Sequence, residues 1–337
     1  MPSCLEYIIN ETAKEDILAT LIGTIHKTDK DRLISGLVGF FIGGTAFILN
    51  VFVFITLIFS KELRQNTHLN LVLCLSIKDM VLGISVFVGG LRLFTQKLAD
   101  SYFPCVLTSV LFISGITLSF CQTFLISFHR FLKISGTGLD KKLLQNNRKY
   151  VVYILFWIVV LGFNISMVQF RHVADKLLFC KFKCVFGARY PVMIIYFQST
   201  AIILLSLTIL FYVLTIGQMR QRYKRTFAWQ AKQNATSSIF TDKVVTVSNS
   251  GCNQLINQMN KKLFGSMKLI GFIIAALLFC SGPMVFVSFF DHGTQKHLFI
   301  AAILSCLNSV VNPFIYAFNM ENLRREWKII WHMIQNL

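Results

Sequence analysis

Asn308-Ser309-Val310-Val311-Asn312-Pro313-Phe314-Ile315-Tyr316 stands late in the apolar run Leu298–Phe318. Asn308 and Asn312 are four apart, so on a helix they share a face, with Ser309 beside them. A helix needs about 20 mainly apolar residues to cross the hydrocarbon core of a bilayer, and polar groups within such a run must find partners on other helices. Six comparable runs precede it, approximately Leu37–Ser60, Leu69–Leu91, Val106–Ile134, Tyr150–Phe170, Pro191–Gly217 and Leu263–Phe290. The 337 residues are 55% hydrophobic and 14% charged, whereas soluble domains carry about a quarter charged residues, so a soluble globule is excluded. The fold expected is an all-α membrane protein, a seven-transmembrane helix bundle spanning 36–318, after an amino-terminal segment 1–35. Residues 319–337 add a short amphipathic cytoplasmic helix: Leu323, Trp327, Ile330 and Trp331 fall on one face and Arg324, Arg325 and Lys328 elsewhere.

Charge sets the expected orientation. Of the 33 Lys and Arg, 20 lie on the side reached after spans one, three, five and seven, 12 on the other, and Lys78 is inside span two. The positive-inside rule then places the amino terminus outside and the carboxyl terminus in the cytoplasm, as expected of a multi-pass plasma-membrane protein. The formal charge of +18 is thus a topology signal in a chain embedded in lipid, with no nucleic acid needed as partner. Asn10, in the sequon Asn10-Glu11-Thr12, faces the glycosylating compartment. The long cytoplasmic loop, about 219–262, is basic at both ends and rich in Ser, Thr, Asn and Gln between them, so its middle is expected to be mobile.

An acid near a span centre costs about 2.5–3.5 kcal/mol on insertion scales. Of the 15 Asp and Glu, only Asp79 is so placed, and the seven His fall at span edges and loops. There is neither a relay of ionisable groups nor a His pair at metal-site spacing, which argues against a pump or an enzyme. Asp79 has polar company in Asn50, Ser119, Asn308, Ser309 and Asn312. If spans one, two, three and seven pack together, these groups either serve as interhelical hydrogen-bond glue or enclose a small site for a monovalent cation.

Asn312-Pro313-Phe314-Ile315-Tyr316 resembles the motif that closes span seven in rhodopsin-like (class A) G-protein-coupled receptors. Other landmarks stand at matching places over about residues 36–333: Asn50, Leu75-Ser76-Ile77-Lys78-Asp79, Cys105, Arg130, Trp157, Tyr212 and Cys280-Ser281-Gly282-Pro283. The resemblance implies a heterotrimeric G protein and an extracellular ligand as partners, with no required cofactor. It implies that Arg130, preceded by His129, lines the G-protein groove, with Tyr212 and Tyr316 as its partners in the active arrangement and Asn312, Pro313 and Pro283 as further residues of coupling and activation. It favours the ion over the glue, as a sodium site at Asp79, Ser119, Asn308, Ser309 and Asn312 with sodium acting as an allosteric modulator. It also implies a disulfide from Cys105 to Cys184 or Cys180.

The chain departs from the family pattern in ways that make it an atypical member. His129 replaces the acid that usually precedes the Arg, and no Asp or Glu occurs between Asp242 and Asp291 at the foot of span six. A weak resting-state restraint on Arg130 and raised basal signalling are expected. His129, titrating near neutral pH, offers a pH-sensitive restraint as a second reading. Ser281 replaces the usual switch Trp, Leu277 a usual Phe, and Leu204 the mid-span proline of span five. Phe112 stands where amine receptors carry an Asp, and span seven has no Lys for a retinal Schiff base.

The expected pocket wall is Phe112, Ile113, Ile116, Tyr196, Thr200, Met284, Val285, Ser288, Ala302 and Cys306, beneath a basic mouth that includes Arg92 and Arg171. An apolar chamber under such a mouth suits an amphipathic anion, a lipid or an acidic peptide. The alternatives are a receptor-fold decoy or constitutively active regulator and, more distantly, a transporter or channel subunit.

Overall fold

The computed structural model describes residues 17–60, 67–94, 102–139, 142, 148–168, 185–237, 246–289, 295–319, 323–325, 327–328 and 335. Among the described residues run seven long helices: α1 (Ile17–Phe59), α2 (Thr67–Phe94), α3 (Tyr102–Ser135), α4 (Arg148–Met167), α5 (Tyr190–Ser237), α6 (Thr246–Phe289) and α7 (Gln295–Asn319). Each contains a stretch long and apolar enough to cross a membrane, and among the described residues there is no strand. The apolar cores match the runs read from sequence, from Leu33–Phe59 in α1 to Ile300–Asn319 in α7.

The helices close into a ring in which α1 packs on α2 and α7, α6 on α5 and α7, while α3 runs through the middle against α2, α4, α5 and α6. That placement explains why α3 is buried over so much of its length and α4 over so little. The outward faces keep large apolar side chains exposed, among them Ile154, Leu155 and Ile158 on α4 and Phe279 and Phe286 on α6. Such faces are stable only against hydrocarbon, so the bilayer acts as their solvent.

Small residues set the α1–α2 contact. A Cβ added to Gly90 would lie 2.5 Å from Phe40 N, and one on Gly83 would lie 2.8 Å from Phe47 N. A Cβ on Gly43 would strike the backbone of Phe87 more closely still. Backbone therefore rests on backbone along this seam, as small residues permit between membrane helices.

Two interior clusters divide the bundle along its length. One, nearer Cys105, joins α3, α5, α6 and α7 through Ile113, Ile116, Phe120, Phe197, Leu277 and Ala301. The other, nearer Arg130, gathers Leu75, Ile126, Ile134, Ile270, Ile273 and Tyr316. Leu323 is buried in this second cluster and Trp327 packs against it, its ring 5.1 Å from that of Phe52, while Arg324, Arg325 and Lys328 are exposed. This is the face division expected of the amphipathic segment; Ile330 and Trp331 lie outside the described residues.

The stretch 219–262 is helical at both ends, and its middle, 238–245, where mobility was expected, lies outside the described residues. Helix α5 continues to Ser237 and α6 begins at Thr246, so most of that stretch is helical. The reason is helix propagation: once the spans supply the nucleus, the Gln, Arg, Lys and Ala residues beyond them extend it at little cost, and no proline interrupts between Pro191 and Pro283.

Candidate functional site

Asp79 is fully buried in α2, and its carboxylate is an acceptor for three side chains. Ser309 Oγ donates to Oδ1, Asn312 Nδ2 donates to Oδ2 at 2.9 Å, and the ammonium of Lys78 forms an ion pair with Oδ1. Lys78 Nζ also donates to Ser119 Oγ of α3 at 2.6 Å. The Ser119 hydroxyl donates its own proton to the Gly115 carbonyl at 3.0 Å, which leaves its lone pairs free to accept from the ammonium. Helices α2, α3 and α7 are thereby joined at one buried point.

Asn50 completes the link to α1. Its Nδ2 donates to the Ser309 carbonyl at 2.8 Å and to Ala46 O at 2.8 Å. The first bond has a specific cause. Pro313 has no N–H, so the carbonyl four residues earlier, that of Ser309, loses its helical donor. Asn50 supplies the missing hydrogen bond from the neighbouring helix.

The polar cluster is the one read from sequence, but its fit to sodium changes. Lys78 already uses Asp79 Oδ1 and Ser119 Oγ, two of the oxygens a sodium ion would need. The Lys78–Asp79 pair is neutral in sum, so an added cation would face the ammonium with no second acid beside it. At about 4 Å and an effective dielectric near 20, two such charges repel by about 4 kcal/mol. The donor set therefore does not fit the expected sodium ion. The physical reason is the adjacent lysine, whose long stem reaches back to its neighbour's carboxylate. Asn308 and Asn312 remain buried beside it, their Oδ1 atoms without a hydrogen bond among the described residues.

At the opposite end of the cluster's helices, Arg130 and His129 are both buried in the last turns of α3, with 7% and 4% of their surfaces exposed. His129, read from sequence at a span edge, is buried against the bundle. Arg130 has no ion pair among the described residues, and its Nε makes no hydrogen bond there. It lies one turn from Ile126 and one from Ile134, both members of the cluster that holds Tyr316 and against which Tyr212 packs. Tyr316 is fully buried with its hydroxyl unbonded among the described residues. The Tyr212 hydroxyl reaches α6 at Gly271, where an added Cβ would come within 2.7 Å of it. The two tyrosines thus share one apolar cluster without bonding to Arg130 in this arrangement.

Sequence reading missed the ring set beside Arg130. Phe128 and Phe131 each approach Phe211 of α5 with centroids 5.1 Å apart, and Phe124 stacks on Phe128 at 5.7 Å. The i, i+4 spacing of Phe124 and Phe128 and the following Phe131 were the available signal.

The expected pocket wall is largely brought together. Ile113, Ile116, Met284 and Val285 are buried in the cluster near Cys105, and Phe112 packs against it. Cys306 is buried and Ala302 half-buried on α7. On α5 the buried face is Met193, Phe197 and Ala201, whereas the Tyr196 ring lies tilted against that of Phe163 of α4 with centroids 3.8 Å apart. Thr200 is half-buried. Gln198 Nε2 donates to Ser288 Oγ at 3.2 Å, tying α5 to α6. Arg92 is buried in α2 rather than open at a mouth. Cys105 is disulfide-bonded. Asn10, Arg171, Cys180 and Cys184 lie outside the described residues.

A seven-helix bundle with a buried carboxylate joined to α7, a proline-bearing α7 and a buried arginine at the foot of α3 defines a membrane protein of the heptahelical class. The residue pattern of the 7 transmembrane receptor (rhodopsin family) matches residues 49–316, and the chain belongs to that family. It is similar to "Cannabinoid receptor type 1B" of Takifugu rubripes, 21% identical over 328 residues, which cover 95% of this chain and 67% of that protein. It is also similar to "Cannabinoid receptor 1" of Xenopus laevis, 19% identical over 312 residues, covering 88% of this chain and 63% of that protein. The chain therefore spans about two-thirds of the length of these relatives. It is a multi-pass membrane protein of a receptor family.

Proposed function

We propose that the chain passes an extracellular signal to a heterotrimeric G protein through the α3 foot, and that it does so with raised basal output. The observation that carries this reading is Arg130, buried and without an ion pair among the described residues, one turn from the cluster containing Tyr316. An arginine held by an acid has to lose that partner before it can serve a docking helix. Here the resting state has less to give up, so the population of the active arrangement is larger without ligand. The amino terminus is outside in this reading, as the 20-to-12 split of cations favours.

For the ligand we propose an apolar or amphipathic molecule, with an anionic head as the variant that the basic outer loops favour. The cluster near Cys105 is built from Ile, Met, Phe and Val side chains with little surface open to solvent. An occupant has to part α5 from α6, at the Gln198–Ser288 bond among other contacts. Both relatives are named for cannabinoids, and a ligand of that kind suits a chamber with so few polar groups.

The test is nucleotide exchange on a panel of purified G proteins, with the chain in lipid nanodiscs and no added ligand. At least one G protein should exchange faster than without receptor, and Arg130→Ala should return the rate to that background while thermal unfolding shows the bundle intact. Absence of exchange on every member of the panel would favour the decoy reading.

A further inference from the structure

We propose that the ammonium of Lys78 is the resident cation of this bundle, held covalently at the position where the resemblance places a sodium ion, and that it frees the bundle's stability from dependence on sodium. The inference rests on the geometry of the polar cluster and is independent of how the chain couples to G protein. Lys78 and Asp79 are both fully buried. A lysine whose function is only to sit near a membrane surface extends its stem toward the headgroups. Lys78 instead turns inward, to Asp79 Oδ1 and to Ser119 Oγ.

The arrangement reproduces what a monovalent ion would do. The ammonium neutralises the buried acid, bridges α2 to α3 through Ser119, and leaves Asp79 free to accept from Ser309 and Asn312 of α7. A lysine ammonium is a compact cation with three directed protons, so two oxygen partners hold it firmly. The difference is the tether. A free ion leaves when its bath concentration falls, whereas a side chain is present at every concentration. The same tether excludes sodium, because the oxygens are taken and the charge is already balanced. Ser119 committing its proton to Gly115 O is a second sign that this oxygen is set to accept from a cation.

The experiment compares thermal unfolding midpoints of the purified chain in sodium chloride and in choline chloride of equal ionic strength. The wild-type midpoint should be the same in both salts. Lys78→Met keeps the stem length and removes the charge, leaving Asp79 in need of a counter-ion. Its midpoint should fall in choline and recover in sodium by roughly 2–4 °C or more. Adding Asp79→Asn to Lys78→Met should abolish that recovery. Sodium-specific stabilisation of the wild type would overturn the proposal, as would a folded Lys78→Met variant indifferent to sodium. Should Lys78→Met fail to fold in either salt, sodium NMR line widths on the wild-type protein decide: no broadening supports the tethered cation, and specific broadening overturns it.

Discussion

Pro313 and Asn50 show how a single polar side chain can be required by a residue on another helix. Proline removes the donor for the Ser309 carbonyl, and Asn50 replaces it from α1 at 2.8 Å. Asn50→Ala should therefore lower stability by about 1–3 kcal/mol, the usual cost of an orphaned buried polar group. Pro313→Ala restores the backbone donor, so thermal unfolding of the double variant should show less than the sum of the two losses. Tyr316 behaves oppositely. Its hydroxyl is unbonded in this arrangement among the described residues, so Tyr316→Phe should change the unfolding midpoint little. The same variant should lower G-protein exchange, because the proposed function has this hydroxyl meet Arg130 in the active arrangement. A marked loss of stability would show that the hydroxyl is already engaged at rest. At this scale the sequence was informative about identity and silent about direction. Asp79 stood out as the lone intramembrane acid, but whether its neighbour Lys78 reached inward or outward depends on side-chain torsions set by α3 and α7.

The helices themselves were legible, because about 20 apolar residues in a row have few other stable solutions. Their outer limits were not. Polar continuations such as that of α5 to Ser237 carry no hydropathy signal, and their helicity comes from propensity added to an existing nucleus. The α1–α2 seam was equally hidden, since a glycine in a span reads the same whether it faces lipid or a neighbouring backbone. The structure separates the cases. Gly90→Val forces α1 from α2 and should cost about 1–3 kcal/mol or more, as overpacking does. Gly162→Ala adds a Cβ where nothing lies within 4 Å, and should be neutral or stabilising by about 0.5–1 kcal/mol. Unfolding midpoints of the two variants check the contrast directly. The aromatic set at Phe128, Phe131 and Phe211 ties α3 to α5 just where Arg130 lies.

For the whole molecule, two buried cationic sites behave in opposite ways. Near the middle of the bundle, Lys78 pairs with Asp79 and Ser119, and through Asp79 this cluster holds α2, α3 and α7 together. At the foot of α3, Arg130 is buried with no ion pair among the described residues. In the proposed reading, the bundle is braced at its centre, while Arg130, at the end that would meet a G protein, lacks a charged partner to hold it. That asymmetry was only half visible beforehand: the missing acid beside Arg130 could be read directly, since His129 stands in its place. The central brace required knowing which helices meet. The most direct measurement is ligand-free nucleotide exchange by the wild type and by His129→Asp, each in nanodiscs with a G protein that the wild type activates. An acid at 129 would pair with the Arg130 guanidinium in the resting arrangement, and a charge-assisted hydrogen bond of this kind should lower basal exchange by roughly tenfold. Unchanged or increased basal exchange in His129→Asp, with the variant folded, would contradict the account.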